Sequence, residues 1–136
     1  MKKIPFTKKQ IEDLAEKYPT PFYIYEEAAI REAARKLIGS FSWDKGFKEY
    51  FAVKATPNPS IMTILKDEGC GTDCSSLPEL LLSERTGITG EDIMFSSNET
   101  QYKEYQYAKK IRAIINLKKL PILEPTIPKN PLFPAA

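Results

Sequence analysis

The stretch YFAVKATPNP, residues 50–59, decides how the rest of the sequence is interpreted. Its first four residues form a short apolar run typical of a buried strand, and Lys54 follows directly. A Pro-Asn-Pro turn and an amphipathic run come next, which predicts a loop and then a helix. Lys54 would then lie at the carboxyl end of a parallel strand, where α/β barrels carry their chemistry. A lysine there can form an imine with a carbonyl cofactor if its amine loses a proton. Alternatively, Lys54 simply ends a strand and points into water.

The same alternation of strand and helix continues on the C-terminal side of this stretch. Apolar runs separated by amphipathic segments predict four strands, at residues 50–53, 71–75, 93–96 and 113–116. Helices are predicted between them, at residues 59–68, at 77–86 and up to about 110. Four strands joined by helices indicate a parallel sheet with right-handed crossovers. On the N-terminal side, we predict a helix at 7–18, a strand at 22–25 and a helix at 26–38 that ends at Gly39-Ser40.

Helix starts are marked by capping residues. Thr7 with Gln10, and Ser76 with Glu79, have the spacing of a capping box. Asn58 precedes a proline, which suits the first position of a helix. The last helix is predicted to be capped by Asn98 or Thr100.

Length, charge and cysteine content exclude several classes of protein. A chain of 136 residues corresponds to one ordinary domain. The net charge of +2 gives no electrostatic case for a nucleic-acid or membrane partner. We find no apolar run long enough for a membrane span and no signal peptide, so a cytoplasmic location is expected. Cys70 and Cys74 are too far apart along a strand for a disulfide, and without histidine no metal site is expected; both are predicted to be buried.

The C-terminal segment differs in composition. Residues 121–136 contain 5 of the 11 prolines, which rules out helix interiors and central strands there. We therefore divide the chain into an N-terminal helix and linker at 1–19, a barrel portion at 20–117, and a proline-rich tail at 118–136 that is extended or disordered.

Several motifs in this order resemble the N-terminal part of the alanine-racemase-like, pyridoxal-phosphate-dependent decarboxylases, with the diaminopimelate decarboxylases the most similar. The resemblance covers roughly residues 20–117. It rests on TPFYIYE at 20–26, AVKATPNP at 52–59, GCGTDCSSLPEL at 69–80 and FSSN at 95–98. It implies the N-terminal portion of a TIM (β/α)₈ barrel, with about four of eight strands.

The resemblance also implies roles for particular residues. Lys54 would carry pyridoxal phosphate, and Asp73, at the mouth of the next strand, would lie near it and favour a protonated imine. Glu79 matches a family position near the lysine, but its spacing from Ser76 is equally explained by a helix cap. Asn98 is likewise either a site residue or a cap. The implied reaction is decarboxylation, a carbon–carbon lyase activity, with meso-diaminopimelate as substrate and lysine as product; the family is homodimeric.

The sequence departs from the family in what these 136 residues do not contain. We find no glycine-rich phosphate loop, no acidic partner for the pyridine nitrogen and no histidine to stack on the ring. We therefore expect an N-terminal fragment, from a truncated or frameshifted gene or a misjoined gene model, which has no activity alone and self-associates or aggregates. The alternatives are a non-catalytic remnant, or a racemase or carboxynorspermidine-type decarboxylase on the same barrel. The TPNP that follows Lys54 favours the diaminopimelate type.

Overall fold

The computed structural model describes residues 4–98 and 100–117, which form one four-stranded sheet and five α-helices. The strands are β1 (Tyr50–Ala52), β2 (Gly71–Cys74), β3 (Ile93–Ser96) and β4 (Ile114–Asn116). The helices are α1 (Lys8–Lys17), α2 (Glu27–Ser40), α3 (Pro59–Asp67), α4 (Leu77–Arg85) and α5 (Tyr102–Lys110). Short 3₁₀ turns lie at Val53–Ala55 and Gly90–Asp92. No helix in these two ranges has the length and apolar character needed to cross a bilayer. The predicted proline-rich tail lies outside the described residues.

The four strands are parallel and follow one another in chain order, as predicted. One face of the sheet packs against α3, α4 and α5. On that face Thr72, Cys74, Ile93 and Phe95 are all at most 1% exposed. Cys74, Ile93 and Phe95 form one core cluster with Leu80 and Ala108 from the helices. This arrangement, with crossover helices on one face only, is that of a segment of a (β/α)₈ barrel.

The opposite face of the sheet is more open. Ala52, Asp73, Met94 and Ile114 lie side by side across it by register, and none of them is fully buried. Ile114 on this open face is 38% exposed, whereas Phe95, on the helix-covered face of the neighbouring strand β3, is completely buried. In a closed barrel this open face would be the interior.

Two predicted helix starts are confirmed in detail. Thr7 and Gln10 form both bonds of a capping box: the Gln10 N–H donates to Thr7 Oγ1 at 3.3 Å, and the Thr7 N–H donates to Gln10 Oε1 at 2.8 Å. Asn58 Oδ1 accepts from the N–H groups of Ser60 and Ile61 at 2.9 and 3.4 Å, and Pro59 occupies the first turn of α3. Both caps are local, so the sequence alone was sufficient to predict them.

Some predicted elements differ from those of the structure. Residues 22–25 form no strand in the described part of the chain, and Tyr23 is 89% exposed. A strand needs a partner for its backbone groups, and β1 has only β2 beside it. Helix α2 continues through Gly39 to Ser40 rather than ending before them. Strand β1 ends at Ala52, because Val53 already belongs to a 3₁₀ turn.

An ion-pair cluster joins α2 to α3. Glu68, directly after α3, has a side chain only 8% exposed and accepts from Arg35 at 2.6 and 2.8 Å and from Arg31 at 2.9 Å. Hydrogen bonds from Arg35, then Arg31, lower the pKa of the Glu68 carboxyl below its ordinary value. Glu27 and Asp67 also bind Arg31, so the cluster fixes α2 against the end of α3.

Gly71 lets the backbone of the turn at Gly90–Asp92 and the ring of Tyr50 approach the start of β2 closely. A Cβ atom at this position would lie 2.5 Å from the backbone oxygen of Asp92 and 2.7 Å from the ring of Tyr50. Lys48 and Asp92 form an ion pair at the same end of the sheet, and the Tyr50 hydroxyl donates to the Glu91 carbonyl at 2.8 Å. The absence of a side chain at residue 71 is therefore a packing requirement at the amino end of β2.

Candidate active site at the carboxyl edge of the sheet

Lys54 lies just beyond the carboxyl end of β1, as the sequence predicts. The 3₁₀ turn closes with the Thr56 N–H donating to the Val53 carbonyl at 3.2 Å. Within this turn Val53 is completely buried in the core, whereas Lys54 is exposed. The side-chain amine of Lys54 has no hydrogen bond or ion pair with any other described residue. The turn is therefore held by a buried valine and leaves the next amine available.

Asp73 lies on the open face of β2, paired with Ala52 on one side and Met94 on the other. Ala52 is two residues before Lys54, so Asp73 and Lys54 are on neighbouring strands near the same edge. The Oδ1 atom of Asp73 is buried and has no hydrogen-bond partner among the described residues. A buried carboxylate oxygen without a donor is costly, which makes this atom a candidate for contact with a bound group.

Glu79 is engaged by the loop between β2 and α4. Its Oε2 accepts from the Ser75 N–H at 2.8 Å and the Ser75 hydroxyl at 3.3 Å, and its Oε1 accepts from the Ser76 hydroxyl at 3.0 Å. Ser76 is the residue before α4, as predicted, but its side chain makes no capping bond. The predicted capping box is therefore wrong in detail, because the Glu79 carboxylate bonds Ser75, one residue earlier, instead of the Ser76 backbone.

Asn98 is exposed in the loop after β3 and does not cap α5. The N-cap of α5 is Gln101, whose N–H donates to the Glu104 carboxylate, so the prediction of Asn98 or Thr100 is wrong. Glu104 Oε2 accepts from the Gln101 N–H at 3.2 Å, while its Oε1 accepts from the Leu77 N–H at 3.1 Å. This second bond joins the starts of α4 and α5. It holds the Glu104 carboxylate where it also accepts from Gln101, so a contact between distant residues favours Gln101 as the cap.

Two polar residues at this edge were missed by the sequence analysis. Ser96 and Asn116 are paired positions at the ends of β3 and β4, and Asn116 Nδ2 donates to Ser96 Oγ at 3.3 Å. Polar residues that end two predicted parallel strands were a visible signal, but their direct pairing depends on the register of the sheet.

The cysteines are not suited to catalysis. Both are free and buried, as predicted. Burial raises the pKa of the Cys74 thiol to about 11, although the Ser83 hydroxyl lies 3.2 Å from its sulfur and opposes this effect. The thiol therefore stays protonated and acts as a small core group. The described ranges also contain no cluster of three potential metal ligands among His, Cys, Asp and Glu.

Comparison with known proteins adds to this geometry. A family model described as the pyridoxal binding domain of pyridoxal-dependent decarboxylases matches residues 27–126. Protein TabA of Pseudomonas amygdali pv. tabaci is 45% identical over 117 residues, which cover 86% of this chain and 28% of that protein. Diaminopimelate decarboxylase of Methanothermobacter thermautotrophicus is 35% identical over 97 residues, covering 71% of this chain and 23% of the relative.

A solved structure has the same architecture. The crystal structure of diaminopimelate decarboxylase from Helicobacter pylori complexed with L-lysine superposes with a TM-score of 0.71 at 29% identity, covering 84% of this chain and 29% of that one. The predicted N-terminal barrel portion is thereby confirmed. The chain spans about a quarter of the length of these relatives.

Proposed function

Because the chain belongs to the family of pyridoxal binding domains of pyridoxal-dependent decarboxylases, we propose that Lys54 is the lysine to which pyridoxal phosphate attaches here. The observation that carries this proposal is the exposed, unpaired amine of Lys54 at the carboxyl edge of β1, beside the unpartnered Asp73 oxygen on β2. Pyridoxal phosphate, the cofactor expected from the sequence, is therefore also the cofactor of the family that the chain matches.

The residues at this edge fit such a group. An amine can hold its aldehyde carbon covalently, and the carboxylate of Asp73 can stabilise positive charge near that link. Glu79 holds Ser75 and so orders the loop beside the site. Asn98 offers an amide in the exposed loop after β3. When bound, the cofactor supplies an electron sink for the carbon that loses carbon dioxide.

The substrate we propose is meso-diaminopimelate, which would be decarboxylated to lysine in the cytoplasm. Support comes from relatives named diaminopimelate decarboxylase at 35% and 33% identity and from the TPNP that follows Lys54. Other decarboxylases or racemases on the same barrel are the competing assignments, since the name of the 45% identical relative, TabA, states no substrate.

We further propose that residues 20–117 are the cofactor-binding unit, preceded by a helix and linker at 1–19 and followed by the proline-rich segment at 118–136. In the described part of the chain, β1 and β4 each have one neighbouring strand, so each leaves an edge available for pairing. We therefore expect copies of the 136-residue chain to self-associate, which sedimentation over a concentration series would detect. A monomer at all concentrations would contradict this expectation.

The cofactor lysine is tested by trapping. The purified 136-residue chain is treated with limiting pyridoxal phosphate, reduced with borohydride, digested and mapped by mass spectrometry. The label is expected on Lys54, to be lost in Lys54→Ala, and to persist in Lys66→Ala, which removes an exposed lysine of α3. Labelling spread evenly over the lysines, or unchanged in Lys54→Ala, would overturn the assignment.

The substrate is tested separately in the same assay. We expect meso-diaminopimelate to reduce Lys54 labelling at a lower concentration than L-ornithine or L-lysine. All three amino acids consume free aldehyde through their amines, so only the difference between them reports on the site. Equal protection by all three would contradict the proposed substrate and leave the lysine assignment intact.

A further inference from the structure

The register of the sheet defines one row of residues across its open face, and the sequence continues it with a second row. The first row is Ala52, Asp73, Met94 and Ile114, which are neighbours across all four strands. The positions two residues further along each chain segment form a second row, here called the edge row. It consists of Lys54, Ser75, Ser96 and Asn116, and every member is polar.

Two members of the edge row have their face fixed by strand pairing. Side chains alternate along a strand, so Ser96 is on the same face as Met94, and Asn116 on the same face as Ile114. The hydrogen bond from Asn116 Nδ2 to Ser96 Oγ agrees with this placement. Lys54 and Ser75 lie just past their strands, where local turns set their direction.

The serines of the edge row differ in their hydrogen bonding. Ser75 is occupied by Glu79 through both its N–H and its hydroxyl. Ser96 Oγ accepts from Asn116, and its own hydrogen has no acceptor among the described residues. The bond from Asn116 uses one lone pair of the oxygen and so restricts the directions left for that hydrogen.

The spacing of the strands brings Ser96 within reach of a group attached to Lys54. Neighbouring strands are about 4.8 Å apart, so β3 is roughly 10 Å from β1 across β2. A lysine has a four-carbon stem, and an aromatic ring attached to its amine extends the reach across β2. Asn116, one strand further away, would act on such a ring through Ser96.

We propose that Ser96 binds the pyridoxal cofactor, donating its hydroxyl hydrogen to a polar substituent of the ring, and that Asn116 is the positioning residue that orients this hydroxyl. The inference rests on the proposed attachment at Lys54 and extends it to β3 and β4. It gives three members of the edge row one shared task, in which Lys54 attaches the ring, Ser96 fixes its orientation and Asn116 positions Ser96.

The test uses the trapping assay as a binding titration. For each variant of the 136-residue chain, the pyridoxal phosphate concentration giving half-maximal label on Lys54 is measured together with the urea unfolding midpoint. Ser96→Ala is expected to raise that concentration about 5- to 10-fold, the effect of losing one hydrogen bond. Ser96→Thr keeps the hydroxyl and should remain close to the unmodified chain. Ser42→Ala, an exposed serine after α2, is the matched control and should change nothing.

The proposed positioning role of Asn116 is tested with a measurement that a purely structural role would leave unchanged. Asn116→Ala should raise the half-maximal concentration less than Ser96→Ala. It should also shift the absorbance maximum of the unreduced, pyridoxal-loaded chain in the same direction as Ser96→Ala. Asn116→Ala with an unchanged spectrum and titration would overturn its positioning role.

The outcomes separate this inference from the proposed function. If Lys54→Ala abolishes labelling while Ser96→Ala and Asn116→Ala leave both titration and spectrum unchanged, only the present inference fails. If the unmodified chain labels its lysines evenly, the proposed function fails. Should Ser96→Ala not fold, comparison of Asn116→Ala with Ser96→Thr still decides the question.

Discussion

Replacing Gly71 with alanine tests whether the turn at Gly90–Asp92 and the ring of Tyr50 pack against the start of β2 as tightly as the structure shows. The new Cβ would lie 2.5 Å from the backbone oxygen of Asp92 and 2.7 Å from the ring of Tyr50. The tyrosine ring can turn aside, but the backbone oxygen must retreat by roughly 0.9 Å to reach an ordinary contact of 3.4 Å. Overpacking of this kind costs about 1–3 kcal/mol.

The assay for this prediction is urea unfolding followed by circular dichroism. A loss of about 2 kcal/mol, with a slope of about 2 kcal/mol per molar urea, lowers the midpoint by about 1 M. Gly39→Ala is the matched control, because a Cβ at position 39 meets nothing within 4 Å and the residue is helical. Alanine there should stabilise the chain by up to about 1 kcal/mol. A midpoint for Gly71→Ala at or above that of the unmodified chain would refute the steric argument.

Three further outcomes are expected from the core and the ion-pair cluster. Phe95→Ala should lower the free energy of unfolding by about 3–5 kcal/mol in the same assay, since the ring is fully buried; a loss below about 1 kcal/mol would contradict the described core. Cys74, whose thiol pKa is raised to about 11 by burial, should react with iodoacetamide at pH 8 only after unfolding, and equal labelling of folded and unfolded chains would show that the site is open. Glu68→Gln should destabilise the chain at pH 7. Because hydrogen bonds from Arg35 lower the folded pKa of Glu68, this stabilisation is present above the ordinary value of 4.5 and is lost as pH falls through the folded pKa. The loss of stability caused by Glu68→Gln should therefore shrink in acid, whereas the loss caused by the exposed control Glu12→Gln should not. A loss for Glu68→Gln that stays constant with pH would contradict a stabilising role of the Glu68 charge.

The elements with local signals were predictable from the sequence. The strand ending before Lys54, the Asn58 cap with Pro59, and the Thr7–Gln10 box each depend on residues within a few positions of one another. Their physics is that of short-range hydrogen bonding and side-chain periodicity. The position of Lys54 at the strand end could therefore be inferred before any coordinates were known.

Features set by distant residues could not be predicted in this way. The cap of α5 depends on Glu104, whose carboxylate also binds the N–H of Leu77, 27 residues earlier. The segment at 22–25 has strand-forming residues, but whether it becomes a strand depends on a partner, which sequence patterns do not reveal. The hydrogen bond between Ser96 and Asn116 likewise follows from the register of β3 and β4, which fixes two residues 20 positions apart.

The step from Val53 to Lys54 limits how this site can change during evolution. Val53 is buried in the core and Lys54 is exposed to solvent, although both lie in a single short turn. Gaining or losing one residue in β1 would exchange their places, leaving an amine among aliphatic side chains and a valine at the edge of the sheet. Insertions should therefore be tolerated in the exposed loop at 42–46, which lies between α2 and β1, but not between residues 50 and 54. The proposed attachment position at Lys54 therefore cannot move along β1 by single insertions or deletions.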